Sequence, residues 1–195
     1  MERQLYLANL LGVERVDKHE RYLGLPTFVG RNKTAAFGYL KEKLTKKVVS
    51  WREKLLSGAG KEILIKAVAQ TVPNYVMNCY MLPTGMCEDL QQLCAGFWWG
   101  DSEEKQKIHW QSWDRLCVPK MEGGMGFKNL HWFNLAMLAK QGWRILKNPN
   151  SLIARLYKAV YYPNGDFSNA ELGDRPSFPF CSIWEARDVL LRGLH

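Results

Sequence analysis

The sequence predicts a mainly α-helical fold with a short β segment near its N-terminus. Apolar residues recur at steps of three and four over long stretches, which is the period of one helix face. Glycine or proline interrupts these stretches at about helix length. Residues 22–29 differ, because Gly24, Pro26 and Gly30 punctuate a stretch that fits a strand or hairpin. We therefore expect a helical bundle between a small β segment and further helices.

The first predicted helix runs from Thr34, a candidate N-cap, to Leu55. Its apolar residues share one face because they are three or four positions apart. They are Phe37, Leu40, Leu44, Val48, Trp51 and Leu55. Most basic residues of this segment lie off that face. One side is therefore expected in the core and the other in contact with water or phosphate.

A second helix is predicted from about Gly60 to Tyr80, with a kink or break at Pro73, because proline removes a backbone donor. Its predicted inner residues are Ile63, Leu64, Ala67, Val68 and Thr71. A third helix is expected between Pro83 and Gly100, a C-cap type of stop. Its predicted inner residues are Met86, Leu90, Leu93, Cys94, Phe97 and Trp98.

The second half of the chain is predicted as helices joined by loops. Three helices are predicted: a fourth over Leu130–Leu146, a fifth capped by Ser151 and a last one over Ile183–Leu191. Residues 101–127 form the predicted connection before the fourth helix, and residues 162–180 form a predicted loop before the last. The predicted inner residues of the fifth helix are Leu152, Ile153, Leu156, Tyr157 and Val160.

Composition limits the class of protein. The 195 residues are 47% hydrophobic and 12% aromatic, which argues against general disorder. No apolar run approaches membrane-spanning length, and no signal-peptide stretch follows Met1, so neither a membrane protein nor a secreted one is expected. The five cysteines are widely spaced and no histidine pairs with them, so we predict reduced thiols and no metal site.

Positive charge is concentrated in one segment. The net charge is +8, and residues 31–66 hold ten basic against three acidic side chains, a balance of +7. This pattern favours a polyanionic partner, either nucleic acid or a membrane surface. A lysine-rich helix face that is only solvated explains the pattern equally well.

The motifs of catalysis are incomplete. Gly60-Lys61 lacks the remaining residues of a phosphate loop, since Leu55 and Glu62 occupy the positions of its first Gly and its Ser or Thr. Ser57 and Ser112 lack a nucleophile-elbow context, and the carboxylates are scattered. Four tryptophans are predicted to pack in the core rather than to stack on bases. They are Trp98, Trp99, Trp110 and Trp113.

Four short strings in fixed order carry a family resemblance. They are Tyr22-Leu23-Gly24-Leu25-Pro26, Ser57-Gly58-Ala59-Gly60-Lys61-Glu62, Phe97-Trp98-Trp99-Gly100 and Gly123-Gly124-Met125-Gly126-Phe127. Together with Lys107-Ile108-His109-Trp110 and Phe133-Asn134, they resemble the region after the palm in plant LINE-type (non-LTR) retrotransposon reverse transcriptases. No Asp-Asp pair of the polymerase type occurs in the chain.

The resemblance implies a division into three parts. Residues 1–30 correspond to an end-of-palm remnant, residues 31–100 to a thumb-like basic helical bundle and residues 101–195 to a helical connector. It places Tyr22, Leu23 and Gly24 in a primer-grip-like position. It also implies that a set of basic residues contacts the nucleic-acid backbone. They are Lys41, Lys43, Lys46, Lys47, Arg52, Lys54, Lys61 and Lys66.

By this resemblance the chain is expected to be a truncated reverse-transcriptase-like protein without catalytic residues or a cofactor. The expected partner is an RNA–DNA hybrid or duplex bound without sequence preference. A reverse transcriptase palm domain is a further candidate partner, and a membrane is not expected. The expected compartment is intracellular, in the nucleus or mitochondrion. The alternatives are a helical protein-interaction module and a non-functional retroelement relic.

Overall fold

The structure is a computed structural model, and it describes residue 10 and residues 21–26, 29–30, 32–54, 56–102 and 105–193. The chain forms two compact units, Met1–Asn32 and Lys33–His195. The described elements are mainly helical, so the predicted fold class is confirmed. The predicted segment 101–195 and all of the segment 31–100 except residues 31 and 32 lie in the second unit, and the division of these segments into separate domains stays a prediction.

A two-stranded hairpin lies in the described part of the first unit. Strand β1 (Arg21–Tyr22) pairs antiparallel with β2 (Leu25–Pro26). Leu23 and Gly24 connect them with φ values of 50° and 79°, both positive as the type I′ hairpin turn requires. The predicted hairpin is therefore confirmed over these residues, whereas residues 27 and 28 lie outside the described part.

Helix α1 (Lys33–Arg52) buries the face that the periodicity predicts. Its buried residues are Phe37, Leu40, Leu44, Val48 and Trp51. Leu55, the sixth predicted position, lies outside the described residues. Thr34 is not the N-cap, because the helix already begins at Lys33 and Thr34 lies in its first turn.

The predicted second helix is divided into three pieces. They are α2 (Gly58–Ala67), a 3₁₀ turn (Ala69–Thr71) and α3 (Asn74–Met77). Ser57 caps α2, because its hydroxyl accepts the Gly60 N–H at 3.3 Å. The predicted inner face of α2 is wrong: Ile63 is 64% exposed, whereas Ile65 is buried. Ile63, Leu64 and Ile65 are consecutive and therefore lie on different faces of α2. Packing against the rest of the bundle decides which of these apolar faces enters the core.

The remaining helices are α4 (Thr84–Trp99), α5 (Trp113–Cys117), α6 (Leu130–Lys147), α7 (Leu152–Tyr161), α8 (Phe178–Glu185) and α9 (Arg187–Arg192). Helix α4 packs against α1 and ends at Gly100, whose φ of 83° is left-handed, as predicted. The predicted last helix is wrong in its start. Helix α8 begins at Phe178, five residues before the predicted start at Ile183. Pro179 is tolerated in its first turn because an N–H group there has no acceptor within the helix.

The predicted inner face of α7 is confirmed for Tyr157 and wrong for the other four residues. Ser151 caps the helix as predicted, and its hydroxyl accepts the Ala154 N–H at 3.4 Å. The buried residues, however, are Ala154 and Tyr157. Leu152, Ile153, Leu156 and Val160 are exposed. Aromatic packing explains the choice, since the Tyr157 ring lies edge-on to Phe180 with centroids 5.3 Å apart.

Two apolar groups form the core of the second unit. The first lies between α1 and α4, and the second joins α6, α7, α8 and α9. The rings of Phe37, Tyr80 and Phe178 connect elements from both halves, with centroids 5.4–6.3 Å apart. No helix in the described part of the chain has both the length and the apolar character to cross a membrane.

Candidate nucleic-acid interface

The second unit exposes a row of lysines along α1, mostly beside its buried face. Lys43, Lys46 and Lys47 follow the i, i+3, i+4 spacing of neighbours on a helix surface, and Lys54 continues the row just after the helix. Lys47 is half-buried and the other three are exposed. We call these four residues the lysine face.

The lysine face carries uncompensated charge. Within the described residues, none of its four side chains forms a hydrogen bond or an ion pair. Like charges at i+3 and i+4 destabilise an isolated helix by a few tenths of a kcal/mol per pair, about 0.2–0.5. These charges are open to solvent or to an anionic ligand, and the binding of such a ligand stays a prediction.

Three of the other predicted basic residues have partners within the protein. Lys41 forms an ion pair with Asp89 at 2.8 Å, and Lys66 one with Glu62, also at 2.8 Å. Lys61 donates to a carbonyl, so the eight predicted residues comprise an open face of four, an engaged group of three and Arg52. Their assignment to nucleic acid stays a prediction for all eight.

Lys61 belongs to the engaged group, whereas the Arg52 side chain forms no ion pair with the described residues and its buried Nε has no hydrogen-bond partner there. The charge of Arg52 is among the causes that lower the pKa of Asp101. The Lys61 ammonium donates to the Trp98 carbonyl at 3.2 Å. Burial, and after it the charge of Lys107, lowers the pKa of Lys61. Lys61 is therefore held in place rather than extended into solvent.

Glu62 lies between two lysines that are distant in sequence. Its carboxylate is 2.7 Å from the Lys120 ammonium and 2.8 Å from that of Lys66. Hydrogen bonds from Lys120 and then from Lys66 lower the pKa of Glu62. This small cluster has one more positive than negative charge, and it lies beside the glycine-rich turn at residues 123–126. Lys120 was not predicted, because no local pattern links it to α2.

The predicted primer-grip-like residues form the hairpin of the first unit. Tyr22 and Leu23 are 70% and 73% exposed, and Gly24 lies in the turn. Their role at a primer terminus stays a prediction.

Three of the four tryptophans pack as predicted. The Trp113 ring stacks on Phe127 with centroids 5.2 Å apart, and Trp98 lies edge-on to the same ring at 5.5 Å. Trp99 lies 6.1 Å from His109. Trp110 is 77% exposed, so the packing prediction is wrong for it. It lies in an extended connection where no neighbouring helix covers it.

The carboxylates near the basic helices have separate structural partners. Asp89 binds Lys41, and Asp114 accepts from the Asn129 amide at 3.0 Å. Asp101 accepts the Lys107 N–H at 2.9 Å and lies 3.0 Å from His109. Burial opposes its ionisation, but these hydrogen bonds outweigh burial and lower the pKa of Asp101. The described residues contain no group of three or more side chains placed to hold a metal ion.

Two proteins of Arabidopsis thaliana are similar to this chain. An uncharacterized mitochondrial protein is 41% identical over 124 residues, which cover 63% of this chain and 80% of that protein. A putative ribonuclease H protein is 36% identical over 179 residues, which cover 87% of this chain but 28% of that protein. No protein-family profile and no solved structure matches the chain.

Proposed function

This chain belongs to the family of the uncharacterized mitochondrial protein of Arabidopsis thaliana, and on that premise we propose that it binds nucleic acid through its lysine face. The ligand is an RNA–DNA hybrid or another duplex, which the protein contacts along the phosphate backbone without reading sequence. The observation that carries the proposal is a row of four lysines along α1 and just beyond its end, whose side chains form no ion pair or hydrogen bond with the described residues.

The proposal includes an origin and a mode of action. The ordered motifs support a retroelement origin, with residues 31–100 derived from a reverse transcriptase thumb. The second relative, a putative ribonuclease H protein, is named for an activity on nucleic acid, which agrees with this partner class. Binding is the proposed activity of the chain, and the separate partners of Asp89, Asp101 and Asp114 support a role without catalysis.

The test is fluorescence anisotropy of a labelled RNA–DNA hybrid titrated with the protein across a salt series. We expect micromolar binding that weakens steeply with salt, because phosphate contacts release counterions. Replacing Lys43, Lys46 and Lys47 by Glu should weaken binding at least ~30-fold at low salt. The salt slope, which is the slope of the logarithm of the binding constant against the logarithm of the salt concentration, should decrease in magnitude by about three, one for each phosphate contact.

A charge-matched control separates a local contact from overall charge. Lys140, Lys147 and Lys158 are exposed on α6 and α7, and their replacement by Glu changes the net charge by the same amount. The control variant should keep most of the affinity. Equal losses in both triple variants, each shown to be folded by circular dichroism, would contradict a lysine-face site.

A helical protein-interaction module is the second candidate function. The observation in its favour is the exposed apolar side of α7, formed by Leu152, Leu156 and Val160. Soluble proteins seldom leave such a row uncovered. The same titration discriminates the two candidates, because a folded protein that fails to bind the hybrid at low salt favours this second function.

A further inference from the structure

Two lysines from distant segments converge beside Gly100. Lys61 lies on α2 and Lys107 in the connection after α4. Their ammonium nitrogens lie 3.5 Å and 3.3 Å from the position that a Cβ on Gly100 would occupy. Gly100 has no side chain and is left-handed, with φ of 83°. It therefore ends α4 and also leaves the space into which both ammonium groups extend.

No acid in the described part of the chain neutralises the charges of this pair. Among the described residues, neither ammonium forms an ion pair. The nearby Asp101 carboxylate is used by the Lys107 backbone N–H and by His109. The Trp98 carbonyl accepts from Lys61 and so orients its ammonium. Two like charges held together raise each other's free energy, and an anion between them relieves that cost.

We propose that Lys61 and Lys107 together bind one phosphate group of a nucleic-acid backbone. The proposal rests on the proposed function and adds a residue, Lys107, that is distant in sequence from the lysine face. A phosphate suits the pair because its oxygens accept hydrogen bonds from several directions at once. Burial, and after it the charge of Lys107, lowers the pKa of Lys61, so an anion bound beside the pair would favour the charged form of Lys61.

A purely structural role predicts a different result. Cations near the C-terminal end of a helix stabilise it through the helix dipole, and both ammonium groups lie near the end of α4. If that were their whole role, replacing them would lower stability and leave hybrid affinity unchanged. Affinity and stability must therefore be measured on the same variants.

The experiment compares Lys61→Met, Lys107→Met and the double variant with Lys105→Met, a change in the same connection at an exposed lysine. Methionine keeps an unbranched side chain that is one atom shorter than that of lysine, and it removes the charge. In hybrid titrations across a salt series, the salt slope of the double variant should be smaller in magnitude by about one than that of the parent protein, as expected for one shared phosphate. The Lys105 variant should match the parent protein. An unchanged slope in the double variant would overturn the proposal.

A second measurement follows the pKa of Lys61 by NMR of labelled lysines. Adding the hybrid should raise this pKa toward its ordinary value of 10.5, because an adjacent anion favours the charged form. Inorganic phosphate is added in a separate titration. A rise with both ligands identifies a general phosphate site, and a rise with the hybrid alone identifies a backbone contact.

The two proposals fail in different ways. A hybrid that binds through the lysine face but leaves the Lys61 pKa and the double-variant slope unchanged overturns only the Lys61–Lys107 site. If the hybrid does not bind at all, the proposed function fails. The titration with inorganic phosphate then tests the Lys61–Lys107 site by itself. If the pKa of Lys61 does not change in that titration, the proposed Lys61–Lys107 site fails as well.

Discussion

At the scale of single residues, one buried amide connects two parts of the second unit. The Asn134 side chain is fully buried on α6. Its amide nitrogen donates to the carbonyls of Met77 and Tyr80 at 2.9 and 3.0 Å, and its oxygen accepts the Leu82 N–H at 2.8 Å. One side chain thus satisfies three backbone groups where α3 has ended and α4 has not begun. Buried groups of this kind are costly when they lose their partners.

We predict that Asn134→Ala lowers the free energy of unfolding by about 3–5 kcal/mol, since three backbone groups lose their partners at about 1–3 kcal/mol each. Urea denaturation followed by circular dichroism measures the change. Asn150→Ala, at an exposed loop position, is the control and should change stability by less than about 0.5 kcal/mol. A loss below about 1 kcal/mol for the Asn134 variant would mean that water replaces the amide.

At the scale of elements, the glycine-rich turn after α5 folds back on its own chain. The N–H groups of Met125 and Phe127 donate to the Leu116 carbonyl at 2.9 and 3.2 Å, and that of Gly126 to the Val118 carbonyl at 2.9 Å. A Cβ on Gly124 would lie 1.9 Å from that same Val118 oxygen. Only glycine fits there, because the obstructing atom belongs to the backbone and cannot rotate away.

We predict that Gly124→Ala destabilises the protein by more than about 2 kcal/mol, because the added methyl group forces backbone apart. Gly38→Ala in α1 is the matched control, since no atom lies within 4 Å of its added Cβ. Alanine is the better helix former, so the control should stabilise the protein by about 0.5–1 kcal/mol. Thermal unfolding of the two variants measures both effects, and similar shifts in the same direction would contradict the described turn.

The elements also show how far sequence reasoning reaches. The buried face of α1 was predictable because a single apolar row runs the length of a long helix. The faces of α2 and α7 were not, since each has apolar residues on more than one side and tertiary packing selects among them. Ile63 and Leu152 are exposed for this reason. Lys107 was also out of reach, because its approach to Lys61 depends on the path of the connection after α4.

At the scale of the whole molecule, the cysteines report whether the second unit is folded. Burial is the main cause that raises the pKa of Cys87 to about 11 and those of Cys94 and Cys117 to about 12. An unfolded thiol has a pKa near 8.5. Because the fold disfavours the thiolates, stability should fall as the pH rises from about 8.5 toward 11–12.

We predict that iodoacetamide at pH 8 alkylates Cys87, Cys94 and Cys117 at least ~100-fold more slowly in the native protein than in urea, since only the thiolate reacts. Mass spectrometry of digested protein gives the rate at each cysteine. Equal rates with and without urea would support the reading of the chain as an unfolded retroelement relic.

The proposed binding of nucleic acid by the lysine face also has a kinetic consequence. Its charges are on one side of one helix, so the electric field around the protein is directional. The field attracts and orients a polyanion that approaches this side before contact forms, which raises the association rate. A polyanion that approaches from another side is not attracted in this way. Added salt therefore acts on the rate of encounter as well as on the lifetime of the complex. The position of the four lysines thus sets which encounters are fast.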